Sequence, residues 1–216
     1  GDAYVLGHAA AERVHRHVQP AGVEIEAEQA HDLHPQRTLP LHRERPLRRQ
    51  HWLAGLLAHA QGMTALCTPT VNGFGRFRPN ALAPQSVIWG QDNRGAMLRV
   101  VGGPGDRATR IENRIGEPAA NPYLYMAAQI HAGLDGLLRE LAPPLACETP
   151  YAAEHPKIPS TLGDALGCLR ADTALIAGLG DDVVHHFCRI KQHEIDRQAE
   201  AKDKTDFDRR EYFSRI

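Results

Sequence analysis

The spacing of apolar residues along the chain changes character at about His51. From there HWLAGLLAHAQGM places Trp52, Leu53, Leu56, Leu57 and Ala60 on one face of a helix, with Gly62 as a stop. Farther on, SVIWG (86–90), AMLRVV (96–101) and TRIENRI (109–115) read as short strands, separated by Gln91-Asp92-Asn93 and Gly102-Gly103-Pro104-Gly105-Asp106. Loops this short predict antiparallel neighbours. Asn121 as cap and Pro122 at the first helical position then open a long helix, on which Leu124, Ala127, Ile130, Leu134, Leu137, Leu138 and Leu141 trace one apolar stripe. The remainder reads as helical. STLGDALGCL starts at a Ser160 or Thr161 cap, and DDVVHHFCRIKQHEIDRQAEAK carries acids at its start and bases toward its end, as the helix dipole prefers. The fold class expected is α+β, a small antiparallel sheet backed by helices.

Residues 1–50 have a different pattern. Seven of the 13 histidines fall within 1–51, and no Phe, Tyr or Trp occurs between Tyr4 and Trp52, which leaves little to build a core with. AAAERVHRHVQPAGVEIEA predicts a short helix ending near Gln19-Pro20-Ala21-Gly22 and then a strand with Val23 and Ile25 on one face. HDLHPQRTLPLHRERPLRRQ (31–50) has neither period and is expected to be irregular.

Composition narrows the function classes. Twenty-five basic against 26 acidic residues argue against a polyanion as the partner of the whole chain, so any anion site must be local. The cysteines, Cys67, Cys147, Cys168 and Cys188, are widely spaced and form no C-x-x-C, as expected of thiols in a reducing compartment. No apolar run is long enough to cross a bilayer, and the chain is expected to be cytoplasmic. A first residue of Gly, in place of Met, is read as the start of a piece of something longer.

The alternation in TRIENRI carries the chemistry. Residues two apart share a strand face, so Arg110, Glu112 and Arg114 point one way and Ile111, Asn113 and Ile115 the other. On the preceding strand Arg99 shares a face with Met97, and Arg94 sits in the turn before it. Two strands can therefore gather several arginines around one glutamate. One reading is a solvated face with cross-strand ion pairs. The other is an anion site: guanidinium forks hold carboxylates and phosphates, and a carboxylate among them can ligate a hard cation such as Mg2+. That second set of groups suits phosphoryl transfer.

The stretches NGFGRFRPNALAP, WGQDNRGAMLRV, TRIENRIGEPAANPYL and AAQIHAGLDGL, with the closing TDFDRREYFSRI, resemble the C-terminal part of the catalytic domain of the glutamine synthetase family over about His51 to Ile216. The resemblance implies an ATP-dependent ligase: ATP phosphorylates the side-chain carboxylate of glutamate, ammonia or another amine displaces the phosphate, and Mg2+ or Mn2+ bridges the reactants. Carried over by residue, Arg76 and Arg114 would hold glutamate, Arg94, Arg99 and Arg110 would meet the nucleotide, Arg94 and Arg99 would touch the transferring group, and Glu112 would be a metal ligand. It also implies a ring-shaped homo-oligomer.

Three departures from that family shape the expectation. Leu82 stands where ammonia-using members carry a glutamate that helps deprotonate ammonium, and the loop is similar to members that use other amines. The glycine-rich segment with its metal-binding histidine is missing, and GVEIEAEQAHDLHPQ starts like the strand to the metal-binding glutamates but loses the motif at His31. Residues 1–50 are therefore expected to be a rearranged part of the catalytic domain, with 30–50 read out of frame, and 51–216 its C-terminal part. The 21 Arg against 4 Lys fit a shifted reading of a GC-rich gene. An incomplete ligase and a non-catalytic nucleotide-binding or dummy subunit are both compatible with these features. A nucleic-acid or metal arm at 31–51 is disfavoured: His31 and His34 have no nearby cysteine, and no aromatic is present to stack on a base.

Overall fold

The computed structural model describes residues 41–213 except 79, 80, 82 and 153, and side chains from Leu47 onward. The expected helix and strand before Gly22 and Ala27, the His31–His34 pair and Leu82 lie outside the described residues.

Helix α1 (Leu41–Ala58) and helix α2 (Ala60–Cys67) follow each other across His59, whose own N–H still donates to the Gly55 carbonyl. Two expectations are corrected here. Residues 41–50 are helical, not irregular: the favourable burial of Leu53, Leu56 and Leu57 one turn later anchors a helix that Arg and Gln can extend outward. Gly62 does not end the helix; it serves close packing, since a Cβ there would lie 3.1 Å from an Asp172 carboxylate oxygen and 3.3 Å from Leu175.

A 3-10 turn (Asn72–Arg76) leads to a three-stranded sheet in the order β1 (Trp89–Gln91), β2 (Leu98–Val101), β3 (Arg110–Asn113). The β2–β3 hairpin is antiparallel, as expected. The β1–β2 pair is parallel, which corrects the expected pairing. Asp92 takes a left-handed φ of 46°, and a turn closed by Ala96 N–H on the Asn93 carbonyl brings the chain back to the level of Trp89. With strands this short, six residues suffice for the return.

Helix α3 (Pro122–Leu138) is capped by Asn121, whose side chain accepts from the Tyr123 and Leu124 N–H groups. Its apolar stripe is only partly the packed face: Leu124 packs against the core and Leu137 is half-buried. Ile130, Leu134 and Leu138 are exposed, at 48%, 41% and 83%, while Ala128, Ala132, Gly133 and Gly136 are buried. The reason is a close helix crossing: a Cβ at Gly55 would lie 2.1 Å from the Ala132 carbonyl oxygen, one at Gly136 2.2 Å from that of His51, and one at Gly133 inside the Trp52 ring. Only small residues allow that approach.

Helices α4 (Leu162–Ala171), α5 (Thr173–Leu179), α6 (Asp181–Glu200) and α7 (Lys204–Tyr212) complete the fold. Thr161 is the cap of α4, and Leu162, Leu166 and Leu169 join Met63, Leu66 and Leu98 in one core. Trp52 and Trp89 pack against that core, and His185 and His186 are exposed. No described helix is long and apolar enough to cross a membrane.

Candidate active site

The register of the sheet decides its chemistry. Leu98 pairs with Asn113 and Val100 with Ile111, and this face packs on the core through Leu98, Val100, Ile111 and Trp89. Arg99 pairs with Glu112 and Val101 with Arg110, so the opposite face is charged. Both expectations about alternation therefore meet on one surface.

On that face Glu112 Oε1 accepts from Arg110 Nε at 3.0 Å and Nη2 at 2.7 Å, and Oε2 accepts from Arg99 Nη1 at 3.2 Å. Arg99 also donates to Asp92 through Nε at 3.0 Å and through Nη2. The hydrogen bonds to Asp92 push the Arg99 guanidinium above its ordinary range. Burial pushes Glu112 upward, but Arg110 and then Arg99 outweigh it and hold the carboxyl below its ordinary value. It is a carboxylate at neutral pH.

Arg114 continues the β3 face. Its N–H donates to the Met97 carbonyl at 2.9 Å, and burial followed by the charge of Arg99 lowers its pKa, with Glu112 and Tyr151 opposing and Arg94 adding. The same groups thus lie within electrostatic reach of one another. Arg94 is exposed in the turn before β2. Arg76, at the end of the 3-10 turn, reaches the chain beyond β3 by donating to the Arg114 carbonyl at 3.3 Å and to that of Ile115. Its Nε is buried without a hydrogen-bond partner. Burial lowers the Arg76 pKa and the charge of Glu117 opposes it. Arg99, Arg110, Glu112 and Arg114 are brought together on this face, with Arg94 within electrostatic reach, while Arg76 meets the chain just beyond β3.

Sequence reasoning missed Asp92 and Glu117. Asp92 lies in the expected turn, and its pairing with Arg99, seven residues on, depends on the path of that turn, which no local period reports. Glu117 accepts from Thr70 N–H at 3.0 Å and Oγ1 at 2.9 Å, which ties the Arg76 turn to the end of the sheet. A separate cavity of about 570 Å³ lies on the core-side face, between α1 and the sheet, lined by Leu53, Trp89, Val100 and Ile111 with Arg49 and Arg107. None of the arginines on the charged face lines it.

The donor set does not suit a divalent cation. Among the described residues no group of three or more His, Cys, Asp and Glu could hold a metal ion. Glu112 and Asp92 both face Arg99, so the two nearest carboxylates are separated by a guanidinium. Mg2+ wants about six oxygen donors.

Comparison with known proteins decides the family. Residues 47–210 match the model described as glutamine synthetase, catalytic domain. The chain belongs to the glutamine synthetase family. It is 40% identical over 173 residues to a gamma-glutamylanilide synthase of an Acinetobacter species, covering 76% of this chain and 35% of that protein. It is 37% identical over 168 residues to a gamma-glutamylethanolamide synthetase of Streptomyces coelicolor, covering 77% and 36%. A solved GmaS–ADP complex superposes with a TM-score of 0.64 at 30% identity, covering 78% of this chain and 40% of the other. The chain thus spans well under half the length of these glutamine synthetase relatives.

Proposed function

We propose that this glutamine synthetase family chain serves ATP-dependent ligation of ammonia or another amine to the side-chain carboxylate of glutamate, through a γ-glutamyl phosphate. The observation that carries the reading is the Arg99–Glu112 pairing, which puts Arg99, Arg110 and Arg114 on one sheet face beside Arg94 and Arg76. In this reading Arg94 and Arg99 hold the nucleotide phosphates and the group in transfer. Arg110 faces the nucleotide, and Arg76 and Arg114 hold glutamate. Guanidinium forks suit all of these oxyanions, and fixed positive charge stabilises a phosphoryl group as it moves. Similarity to proteins named for anilide and ethanolamide products favours an amine larger than ammonia. Residues 51–216 act as the C-terminal part of the catalytic domain and 1–50 as a rearranged segment, in a cytoplasmic protein whose complete relatives form homo-oligomers. Glu112 joins a Mg2+ or Mn2+ site only where further ligands are supplied.

A second reading, nucleotide binding without turnover, is favoured by the engagement of both Glu112 oxygens with arginine. Incubating the chain with glutamate, ATP, Mn2+ and hydroxylamine separates the two. Formation of γ-glutamyl hydroxamate supports ligation. ATP binding with no hydroxamate supports the second reading, and neither binding nor turnover overturns both.

A further inference from the structure

The charged face is partly neutralised from within. Each Glu112 oxygen is held by a guanidinium, from Arg110 at 2.7 and 3.0 Å and from Arg99 at 3.2 Å, and Asp92 takes the other edge of Arg99. A divalent cation approaching Glu112 would have to displace two arginines and then sit beside their charge. It would gain a single carboxylate for doing so. A polyphosphate meets the reverse situation, since its oxygens can accept from the same N–H groups that Asp92 and Glu112 now occupy. With Arg94 and Arg114 nearby, four guanidinium groups face two carboxylates, so the face keeps an excess of positive charge.

We propose that in this chain Glu112 and Asp92 are internal counter-ions of the arginines, and that the Arg94–Arg99–Arg110 face binds a polyphosphate anion without a divalent cation, by exchanging carboxylate for phosphate. This rests on the reading of the face as a phosphate site and changes the role of the glutamate within it. The consequence runs opposite to that of a metal ligand. Removing a counter-ion leaves the arginines open and strengthens anion binding, whereas removing a metal ligand weakens it.

The test is equilibrium titration of the 216-residue chain at low salt with inorganic tripolyphosphate and with ATP, first in EDTA and then in Mg2+. Both anions are expected to bind in EDTA. Glu112→Gln is expected to bind them about fivefold more tightly, the scale of one unit charge a few ångströms away in a wet site. Asp92→Asn, in an exposed turn, should shift binding the same way and serves if Glu112→Gln fails to fold. Arg99→Gln should abolish the interaction. Binding that appears only with Mg2+ and is lost in Glu112→Gln would overturn the counter-ion role and leave the ligase reading standing. If a chain shown to be folded by circular dichroism binds neither anion in either condition, both readings fall together.

Discussion

Carboxylates meet cations at two places in this molecule, and the two are built differently. On the sheet, Glu112 and Asp92 pair with Arg99 and Arg110; Asp92 and Arg110 are open to water, Arg99 is mostly covered, and both cations are long side chains that can turn away. Between the helices, His59 is 7% exposed and bridges two carboxylates: Nδ1 meets Asp172 at 2.8 Å and Nε2 meets Asp135 at 2.9 Å. Asp172 also caps α5 by accepting from Leu175 N–H, and Asp135 takes Arg139. The first cluster is arranged to exchange partners. The second joins α1–α2, α3 and α5 and has nothing to exchange with, so its charges serve the frame that supports the sheet.

Removing His59 should therefore produce the largest effect. His59→Leu leaves two mostly buried carboxylates without their shared cation, a change that typically costs about 3–5 kcal/mol. Chemical denaturation should show that loss, and a variant as stable as the wild type would show that the clamp contributes nothing. A smaller effect follows from pH. The hydrogen bond to Asp172, opposed by burial and helped by Asp135, raises the His59 pKa above its ordinary value. A raised folded-state value means the contribution is complete below about pH 6.5 and is lost as pH rises through the folded-state value. Denaturation midpoints should fall from pH 6 toward pH 9 in the wild type and fall less in His59→Asn. Equal slopes in the two proteins would assign the pH dependence to other groups.

The two clusters also differ in how legible they were in the sequence. The arginine face follows from a period of two along TRIENRI, and a local rule needs only local residues. The clamp joins positions 76 and 113 residues apart in sequence, and no periodicity reports on that distance. The outer part of the α3 stripe, Ile130, Leu134 and Leu138, departs from expectation for a related reason. Leucine and isoleucine outrank glycine and alanine in any apolar pattern, yet the crossing with α1 selects for the smallest residues, Gly133 and Gly136. The parallel β1–β2 pair was hidden because loop length suggests a hairpin, while the left-handed Asp92 reverses the path. The class of the fold and the clustering of Arg94, Arg99, Arg110, Glu112 and Arg114 did follow from the chain itself.

If the sheet cluster is built for exchange, its partners should matter more for binding than for folding. Arg99→Ala is expected to lower the thermal midpoint less than His59→Leu does, since Arg99 bonds to Asp92 and Glu112 on the sheet and joins no helices, while tripolyphosphate binding is lost. Side-by-side melting and titration give both readouts. A large drop in the midpoint would make Arg99 part of the frame and erase the distinction between the two clusters.

The smallest effect is expected on the outer side of α3, where Met126, Ile130 and Leu134 are exposed beside the small residues that do the packing. Ile130→Lys puts a charge at a position 48% open to water, at a helix site with no required cap or crossing, so stability should change by no more than about 0.5 kcal/mol. Solubility should rise, because the substitution interrupts an apolar strip running from Tyr123 to Leu138. Urea denaturation of the full chain decides it. An unchanged midpoint confirms that α3 is held from its glycine side, through Gly133 and Gly136. A fall of several kcal/mol would mean that the outer strip is itself covered, and the frame would then have two faces instead of one.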